Sequence, residues 1–511
     1  MSAPAIVFIG FMGAGKSTAL AAARRAGLET TEIDDLMAAA FGMPITEAFE
    51  KHGEDGFRAR EAAIVGELLE KADGGAIALG GGSILSQRVR AALPRHTVVW
   101  IQVDAKEAWR RIAHSDRPLA SSAADVERLL ATRLPLYEEL ADAVVPVGDR
   151  EIVARALTAI QALAELPTGS KLLWAATASG DYPIFVGRGL LGAGWWPLAS
   201  RRFCLTDSDV GALYVDRLEP LVGTATVAPG EEAKTLAETE RVLRLLATAG
   251  MRRDDHLVAL GGGVIGDLGG FCAHIYQRGV SVVQVPTTFV SQVDSAYGGK
   301  TGVDLPEGKN YVGAFQQPSA VLADTSTLDS LPSWELESGF VEALKTGLLA
   351  GGTLWERVRS VETIEPDLVD QLVFACARYK SEVVAEDERE TGRRAVLNLG
   401  HTVGHGIETG AAYTHYSHGE AIGLGLLAAL RLSDAPQLRA EVEAILQRLN
   451  LPVRLRLGED GVEAILDALQ RDKKRTAAGV GFVLLSEPGA PRVGQLIDPA
   501  RVRSAVEELL P

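Results

Sequence analysis

The sequence of 511 residues predicts an α/β protein built from two successive sheet-and-helix parts and a helical C-terminal part. Three observations indicate this. A short apolar run at residues 5–9 leads into a glycine loop and a helix-forming segment, as in a parallel sheet flanked by helices. From about residue 182, strand-like apolar runs, at 203–207, 224–228, 256–260 and 280–285, again alternate with helical stretches. Beyond about residue 326, long amphipathic patterns predict helices.

Composition narrows the classes of function. A hydrophobic content of 47% with 23% charged residues is typical of a globular protein, and the chain is long enough for several domains. The net charge of −16 argues against a nucleic-acid or membrane partner, so basic groups for an anionic substrate must be gathered locally. Three scattered cysteines without a C-x-x-C motif indicate reduced thiols and a cytoplasmic location. We expect no signal peptide and no membrane-spanning helix.

The glycine loop at residues 10–17 reads G-x-x-x-x-G-K-S, with the strand before it and the helix after it that this motif requires. Glycines let backbone N–H groups surround nucleotide phosphates, and the helix N-terminus adds partial positive charge. We expect Lys16 to reach the β- and γ-phosphates of ATP and Ser17 to bind Mg²⁺. The expected ATP- and magnesium-binding residues are Gly13, Ala14, Gly15, Lys16, Ser17 and Thr18.

Charged residues and a second glycine run follow this loop. They are Glu32, Asp34, Arg58, Gly80, Gly81, Gly82, Arg117 and Arg133. Taken singly, each arginine is more typical of a solvated surface charge. In this order and spacing, however, the segment resembles shikimate kinase. The resemblance implies a P-loop kinase fold and ATP-dependent phosphorylation of shikimate on its 3-hydroxyl.

The resemblance also implies roles for these residues. The implied shikimate-binding residues are Asp34, Arg58, Gly80, Gly81, Gly82 and Arg133. Asp34 would act as the catalytic base, and the two arginines would clamp the carboxylate. Arg117 would lie in a lid over ATP and stabilise the transferring phosphoryl group beside Lys16. Glu32 departs from the family's Asp-x-Asp pattern, and because Mg²⁺ has strict geometry, we expect an effect on rate.

A glycine turn at residues 261–267, G-G-G-V-I-G-D, ends a strand-like run and enters a helix, which suits close approach to a dinucleotide pyrophosphate. Further along the chain, His401 and His405 stand four residues apart and would share one face of a helix. With Glu342 and His418, they are candidates for a metal held by three protein ligands. Spacing favours His401 with His405 but does not exclude His401 with His418.

Six motifs in the C-terminal part resemble 3-dehydroquinate synthase. They lie at 230–236, 261–271, 276–288, 292–304, 308–310 and 397–405, within a match from about 180 to 485. The resemblance implies zinc or cobalt on Glu342, His401 and His418. It implies NAD⁺ on Asp207, Glu231, Lys234, Gly261, Gly262, Gly263, Asp267, Thr287, Thr288, Asp294, Lys300 and Lys309. It implies substrate on Arg278, Asp294, Lys300, Asn310, Lys345, Lys380, Arg394, Asn398, His405, Lys473 and Lys474.

The family reaction converts 3-deoxy-arabino-heptulosonate 7-phosphate to 3-dehydroquinate with release of phosphate. Lys345, Lys380, Asn398 and His405 would be catalytic, with His405 transferring a proton. The resemblance also implies a homodimer, since Arg278 can reach a neighbouring subunit's site. Three positions depart from the family pattern: Ala296-Tyr297 stands where small residues are usual after Q-V-D-S, Asp304 replaces the common Asn after T-G-V, and Trp334 replaces the Arg of the family's L-P-x-R-E. We expect these to affect packing or NAD⁺ affinity.

The predicted organisation is therefore two enzymes in one chain. Residues 1–165 form the shikimate-kinase-like P-loop domain, 166–175 a Pro/Gly/Ser linker, 176–325 an NAD-binding α/β subdomain, and 326–511 a helical metal- and substrate-binding subdomain. Two alternatives stay open. The C-terminal half could be a metal- and NAD-dependent polyol dehydrogenase, and the N-terminal half could bind a nucleotide without phosphotransfer.

Overall fold

The computed structural model describes residues 3–113, 122–410, 416–456, 461–471 and 480–511. The chain divides into two compact units. The first comprises Met1–Ala176, Pro183–Phe185 and Ala193–Pro197, and the second comprises Thr177–Tyr182, Val186–Gly192 and Leu198–Pro511.

The first unit is a parallel sheet flanked by helices, as the sequence predicts. Its strands are β1 (Ile6–Ile9), β2 (Thr30–Glu32), β3 (Ala76–Ala78), β4 (Thr97–Gln102), β5 (Ala143–Pro146) and β6 (Lys171–Thr177), in the order β2-β3-β1-β4-β5-β6. Its helices are α1 (Lys16–Arg25), α2 (Ile33–Phe41), α3 (Ile45–Lys71), α4 (Gln87–Ala92), α5 (Ala105–Ile112), α6 (Ala123–Leu140) and α7 (Ile152–Ala162). Strand β1 is buried along its whole length, which explains its continuous apolar run.

The segment predicted as a linker is short in the structure. A 3₁₀ turn at Leu163–Glu165 follows α7, and β6 begins at Lys171, inside the predicted linker. Ser170 donates a hydrogen bond from its Oγ to the carbonyl oxygen of Pro167 at 2.6 Å, which closes the turn between them.

The second unit begins with a mainly parallel sheet. Its strands are β7 (Gly180–Gly187), which has residues in both units, β8 (Arg202–Asp207), β9 (Thr224–Val227), β10 (His256–Gly261), β11 (Ser281–Pro286) and β14 (Ala320–Asp324). The order β14-β11-β10-β8-β9 is parallel throughout. Strands β12 (Lys300–Leu305) and β13 (Gly308–Phe315) form an antiparallel hairpin. The four strands predicted near 203–207, 224–228, 256–260 and 280–285 are confirmed.

Three helices pack beside this second sheet: α8 (Ser208–Tyr214), α9 (Leu236–Thr248) and α10 (Gly263–Ile275). Buried side chains of α9 and α10, such as Val242 and Leu268, pack against Leu205 and Ala259 of the strands. This core fixes the glycine turn at the start of α10, which follows directly from the carboxyl end of β10.

The rest of the second unit is mostly helical. Its helices are α11 (Ser333–Ala350), α12 (Gly352–Arg359), α13 (Pro366–Glu386), α14 (His401–Gly410), α15 (His418–Leu432), α16 (Pro436–Arg448), α17 (Gly461–Arg471) and α18 (Pro499–Glu507). A hairpin of β15 (Gly481–Leu485) and β16 (Pro491–Leu496) interrupts them. Helix α15 packs closely against the start of α14. A side-chain carbon at Gly425 would lie only 2.1 Å from the carbonyl oxygen of Gly400, the residue before α14, so only glycine fits there.

Within the described ranges, none of the helices combines the length and the hydropathy that a bilayer crossing requires.

We expect the stability of the second unit to depend on pH through His256, the first residue of β10. This side chain is fully buried, and its Nδ1 lies 2.8 Å from Ser200 Oγ. Burial, helped by repulsion from Arg202, lowers the pKa of His256 from 6.5 to about 4, while Asp255 opposes the shift. The unfolded chain therefore binds the proton more readily, and stability is lost as pH falls from 6.5 toward 4.

The comparison of pH 7 with pH 5 gives the size of this effect. Between pH 7 and pH 5, the free energy of unfolding of the unmodified chain should fall by about 2 kcal/mol because of His256. A His256→Gln variant should lack this part of the decrease. Urea unfolding at the two pH values, followed on the second unit's transition, measures it. The exposed His274, changed to Gln, is the control. An unchanged pH dependence in His256→Gln would contradict the assignment.

Candidate active sites

The first candidate site begins at the loop between β1 and α1. Gly13 and Gly15 adopt positive φ angles of +79° and +100°, and a side-chain carbon at Gly13 would lie 3.2 Å from the carbonyl oxygen of Ala108. Lys16, the first residue of α1, donates hydrogen bonds from Nζ to the carbonyl oxygens of Gly10 at 2.9 Å and Phe11 at 3.0 Å. The side chain of Lys16 thus folds back over its own loop.

A cleft of about 660 Å³ joins this loop to the residues predicted to bind the acceptor. Of the predicted residues, it is lined by Gly13, Gly15, Lys16, Ser17, Thr18, Asp34, Arg58, Gly80, Gly81, Gly82 and Arg133. Ala14 is buried behind the loop. Arg117 lies outside the described residues. The structure therefore brings phosphate-loop and acceptor residues, which are up to more than one hundred positions apart in sequence, into one cleft.

Two arginines stand in this cleft in different environments. Arg58 Nη1 lies 2.6 Å from Glu61 Oε2, and its guanidinium sits over the rings of Phe49 and Phe57 at 5.5 and 5.7 Å. Glu61 is buried and also accepts a hydrogen bond from Ser83 Oγ at 2.7 Å. Glu61 at Nη1 and Glu54, whose Oε1 lies 3.7 Å from Nε, together fix the orientation of the Arg58 guanidinium.

Arg133 on α6 is the second of these arginines. It is 3% exposed and donates a hydrogen bond to the carbonyl oxygen of Gly81 at 3.1 Å. Its guanidinium lies 5.6 Å from the ring centre of Phe11. Tyr137, one turn along α6, donates to the same carbonyl at 3.1 Å.

Glu61 and Arg111 are two further residues of this cleft, and neither was predicted from the sequence. Glu61 stands three residues after Arg58 on α3, so an Arg-x-x-Glu spacing was the available signal. Arg111 lines the cleft and donates from Nη1 to the carbonyl oxygen of Gly13 at 3.1 Å, a contact that no local pattern predicts. Glu32 accepts a hydrogen bond from Ser17 Oγ, so the departure from the family pattern lies directly beside the hydroxyl expected to bind Mg²⁺.

The second candidate site begins at the turn between β10 and α10. A side-chain carbon at Gly262 would lie 3.0 Å from Thr288 Cγ2, and one at Gly263 would lie 3.1 Å from Ser295 Oγ. Thr287 is 3% exposed, and among the described residues its hydroxyl has no hydrogen-bond partner. A glycine-lined helix start beside a hydroxyl without a partner suits a polar ligand such as a pyrophosphate.

Charged residues predicted to bind the dinucleotide stand beside this turn. Lys234 is 4% exposed, and its Nζ lies 2.6 Å from Asp267 Oδ2 and 3.6 Å from Glu231 Oε1. Lys309 Nζ lies 4.0 Å from the same oxygen of Glu231. Asp207, at the end of β8, caps α8 and accepts hydrogen bonds from two backbone N–H groups.

Glu342, His401 and His418 come together in the helical part. Their candidate ligand atoms lie within 4.8 Å of one another, with Glu342 Oε1 3.5 Å from His401 Nε2 and 3.3 Å from His418 Nε2. Glu342 is fully buried; its Oε2 is paired with Lys345, whereas its Oε1 accepts no hydrogen bond of good geometry from a described residue. One carboxylate and two imidazoles are a donor set that Zn²⁺ or Co²⁺ accepts, and the buried Oε1, which faces both imidazoles, fits such an ion.

Burial and neighbouring charges shift the pKa values of all three residues, Glu342, His401 and His418. Burial opposes ionisation of Glu342, but Lys345 and the two imidazoles hold its pKa well below the ordinary value. Burial, helped by Lys345, lowers the pKa of His401 well below 6.5. For His418, burial favours the neutral ring, yet contacts with Glu342 and Glu408 raise its pKa to about 10.

His405 lies on the same face of α14 as His401, with ring centres 5.2 Å apart. It belongs to a second group of close donor atoms, with Glu408 and His418. The pairing that sequence spacing favours, His401 with His405, is therefore not the only close pair, since the ring centre of His418 lies 5.7 Å from that of His401.

Buried charges continue from this cluster to the π-helical turn Ser291–Ser295, which contains Asp294. Lys345 Nζ lies 2.5 Å from Glu342 Oε2, and Lys380 Nζ lies 2.8 Å from Asp294 Oδ1. Although burial opposes it, attraction to Lys380 and Lys345 lowers the pKa of Asp294 to about 2. Burial lowers the pKa of Lys380, and Asp294 opposes that shift. Lys345 and Lys380 are thus two buried ammonium groups that interact electrostatically with one another, and each is paired with a carboxylate.

The remaining predicted substrate residues lie around the loop after α13. Lys300 and Asn398 both contact Glu390, the latter donating from Nδ2 at 3.1 Å. Arg394 is 1% exposed and donates from Nη2 to the carbonyl oxygen of Gly298 at 2.9 Å. Glu390, which was not predicted as a site residue, adopts a positive φ of 57° and contacts both Lys300 and Asn398. No spacing in the sequence indicates this contact.

Four predicted substrate residues lie elsewhere in the chain: Asn310, Arg278, Lys473 and Lys474. Asn310 adopts a positive φ of 55° and donates from its backbone N–H to Asp304 Oδ1 at 2.7 Å. Arg278 is exposed after α10, with a φ of 67°. Lys473 and Lys474 lie outside the described residues.

The departures from the family pattern have structural accounts in two cases. Tyr297 is 1% exposed and donates from its hydroxyl to the carbonyl oxygen of Gln292 at 2.6 Å, so it fills a buried position. Asp304 caps the turn to Asn310. Trp334 is 56% exposed at the start of α11, and nothing in the structure explains it.

Comparisons with known families agree with this arrangement. A family model described as shikimate kinase matches residues 12–164. Models described as the N-terminal and C-terminal parts of 3-dehydroquinate synthase match residues 224–338 and 339–475. Two independent regions of the chain therefore match two different enzyme families.

Individual relatives match the longer of these regions. The 3-dehydroquinate synthase of Acidithiobacillus ferrooxidans is 40% identical over 350 residues, which cover 65% of this chain and 96% of that protein. The 3-dehydroquinate synthase of Methylococcus capsulatus is 41% identical over 345 residues, covering 64% and 96%. A solved 2-deoxy-scyllo-inosose synthase, complexed with carbaglucose-6-phosphate, NAD⁺ and Co²⁺, has 24% identity and a TM-score of 0.61, covering 66% of this chain and all of that one. This last likeness shows the fold.

Proposed function

Because the chain belongs to the 3-dehydroquinate synthase family and carries a shikimate kinase domain ahead of it, we propose two reactions for this bifunctional shikimate-pathway enzyme. The first is ATP-dependent phosphorylation of shikimate to shikimate 3-phosphate. The second is conversion of 3-deoxy-arabino-heptulosonate 7-phosphate to 3-dehydroquinate with release of phosphate.

The observation that supports the kinase reaction is a single cleft that contains both the phosphate loop and a pair of arginines. Lys16 binds the β- and γ-phosphates, and Arg58 and Arg133 hold the shikimate carboxylate. Asp34 at the start of α2 accepts the proton of the attacking hydroxyl. With bound Mg²⁺ neutralising phosphate charge, Ser17 and Glu32 are the side chains that hold it.

The test of the kinase reaction is ADP formation from Mg-ATP with and without shikimate. We expect shikimate-dependent turnover, and we expect Arg58→Ala to raise the KM for shikimate by about tenfold to a hundredfold, since one charged contact to a carboxylate is worth roughly 1.5–3 kcal/mol. The KM for ATP should stay within about twofold. ATP binding without any stimulation by shikimate would instead favour a nucleotide-binding module without phosphotransfer.

The observation that supports the synthase reaction is the cluster of Glu342, His401 and His418 beside the buried ammonium groups of Lys345 and Lys380. When bound there, a Zn²⁺ or Co²⁺ ion and NAD⁺ supply Lewis-acid polarisation and a transient oxidation that acidifies the neighbouring C–H bond. The relative with bound NAD⁺ and Co²⁺ has the same fold. The glycine turn with Lys234 and Asp267 is the proposed dinucleotide site.

The chain's own residues then bind and transfer protons. Lys345, Lys380 and Arg394 neutralise the carboxylate and phosphate of the substrate. His405, half-buried and next to the ligand cluster, exchanges a proton with the substrate during β-elimination of phosphate. Asn398, held by Glu390, donates a hydrogen bond to a substrate oxygen.

Inorganic phosphate release, measured together with absorbance at 340 nm, tests the second reaction. We expect stoichiometric phosphate with no net accumulation of NADH, since the hydride is returned in each turnover. Net NADH formation from a polyol substrate without phosphate release would favour a metal- and NAD-dependent polyol dehydrogenase.

We also propose that the synthase half forms a homodimer in which the exposed Arg278 reaches the partner's site. Sedimentation equilibrium gives the assembly state. Mixing Arg278→Ala with a variant inactivated at His405 should restore about a quarter of the synthase activity if the arginine acts in trans, by random reassortment of chains.

A further inference from the structure

Helix α14 presents three polar side chains on one face. His401, His405 and Glu408 stand at positions i, i+4 and i+7, which lie one above another along a helix. The first two already have proposed roles as metal ligand and proton-transfer residue. Glu408 has none, although it is 8% exposed, and a carboxylate is seldom buried to that extent without a partner.

The partner of Glu408 is His418, the first residue of α15. Glu408 Oε1 lies 3.2 Å from His418 Nδ1, and on the other edge of the same ring His418 Nε2 lies 3.3 Å from Glu342 Oε1. The imidazole is therefore held between two carboxylates from two other helices. Because Glu408 contacts Nδ1, it stands on the side of the ring away from the proposed ligand nitrogen.

The backbone around this contact is fixed independently of the side chains. Ser417 and Glu420 form a reciprocal capping box that sets the first turn of α15. The contact of Gly425 with Gly400 then sets the distance between α14 and α15. With both backbones held, the Glu408–His418 contact determines which way the imidazole faces.

From this geometry we infer that Glu408 is a positioning residue of the metal centre: it accepts the Nδ1–H hydrogen bond of His418 and thereby presents Nε2 to the ion. A proton held on Nδ1 leaves the lone pair of Nε2 available toward Glu342 and His401, and the hydrogen bond increases the basicity of the ligating nitrogen. This role rests on the metal centre proposed above. It assigns Glu408 no direct bond to the ion.

The test measures Co²⁺ binding by the full chain, by competition with a chelator and by the visible absorption of bound Co²⁺. We expect Glu408→Ala to weaken Co²⁺ binding by about tenfold to a hundredfold, as removal of such partners does, and to shift the visible bands because the ring is no longer oriented. Glu408→Gln keeps an acceptor oxygen for Nδ1–H, so we expect a smaller loss and a spectrum nearer to that of the unmodified chain.

Two controls separate positioning from folding. The metal-free Glu408→Ala chain should keep its thermal unfolding midpoint within a few degrees and its kinase activity unchanged. Glu443→Ala removes a comparable helical carboxylate that is not part of the ligand cluster: Glu443 Oε1 lies 2.9 Å from Arg454 Nη1. This variant should bind Co²⁺ normally.

Three results would overturn the inference, and they are distinguishable. Unchanged Co²⁺ affinity and spectrum in Glu408→Ala would remove the positioning role and leave the metal centre standing. Complete loss of stoichiometric binding, equal to that of His418→Ala, would make Glu408 a ligand instead. Absence of Co²⁺ binding by the unmodified chain would overturn the proposed metal centre together with this role.

Discussion

Replacing Glu342 with Gln is expected to abolish stoichiometric metal binding and to lower synthase turnover on the order of a thousandfold, while shikimate-dependent ADP formation is retained. Lewis-acid stabilisation is worth several kcal/mol, and each 1.4 kcal/mol is about a factor of ten in rate. Glu342 is the carboxylate of the proposed ligand set, and its Oε1 lies 3.5 Å from His401 Nε2 and 3.3 Å from His418 Nε2. Chelator-competition titration and phosphate release measure the two effects.

The same substitution has a consequence for stability that must be separated from the loss of activity. It leaves the ammonium of Lys345, 1% exposed and 2.5 Å from Glu342, without its carboxylate. Loss of one partner of a buried ion pair costs roughly 3–5 kcal/mol of unfolding free energy. The double variant Glu342→Gln with Lys345→Met should therefore regain much of that free energy in urea unfolding.

The double variant should nevertheless remain without synthase activity. If it recovered phosphate release along with stability, the role of Glu342 would be structural and the proposed ligand set would be wrong. If Glu342→Gln alone bound Co²⁺ with unchanged affinity, the ligand set would be wrong as well. Kinase activity measured in the same preparation shows that the rest of the chain is folded.

Lys16→Met is expected to have the second largest effect, a loss of kinase kcat on the order of a thousandfold with synthase activity unchanged. The lysine lies over its loop through hydrogen bonds to Gly10 and Phe11 at 2.9 and 3.0 Å, so its ammonium is already at the cleft before a nucleotide binds. Interactions with the charge that develops on a transferring phosphoryl group are worth several kcal/mol. Coupled measurement of ADP at saturating shikimate gives kcat.

Lys71→Met is the matched control for this substitution. It removes the same side chain from α3, where the lysine forms an exposed helical pair with Glu67 at 2.6 Å. Solvent screens exposed pairs of this kind, so neither stability nor turnover should change measurably. Equal losses in both variants would mean that the effect of Lys16→Met comes from a general loss of positive charge or of folding.

The sequence was sufficient where function depends on local chain geometry. The loop at Gly13–Ser17 and the turn at Gly261–Gly263 each join a strand end to a helix start within a few residues, so motif and structure coincide. Strands β8 to β11 were predicted to within one or two residues for the same reason, since apolar runs and flanking turns are both local.

The sequence was insufficient where a residue acquires its role from a partner far along the chain. Glu390, which has a positive φ, contacts Lys300 and Asn398. Glu408 on α14 contacts His418 on α15. Helical spacing brings His401 and His405 to one face, yet the nearest imidazole to Glu342 belongs to His418. Tertiary packing decides among residues that local spacing leaves equivalent, and only the resemblance to a family selected His418 beforehand.

The backbone contact between Gly425 and Gly400 also bears on how inherited variation in such an enzyme should be interpreted. Neither glycine has a side chain that can take part in chemistry, but together they set how far the helix carrying His401 stands from the helix carrying His418. A change to alanine at Gly425 would force these helices apart and separate the two imidazoles. In a growth assay it would therefore resemble a catalytic lesion, although the altered residue lies seven positions beyond the nearer histidine.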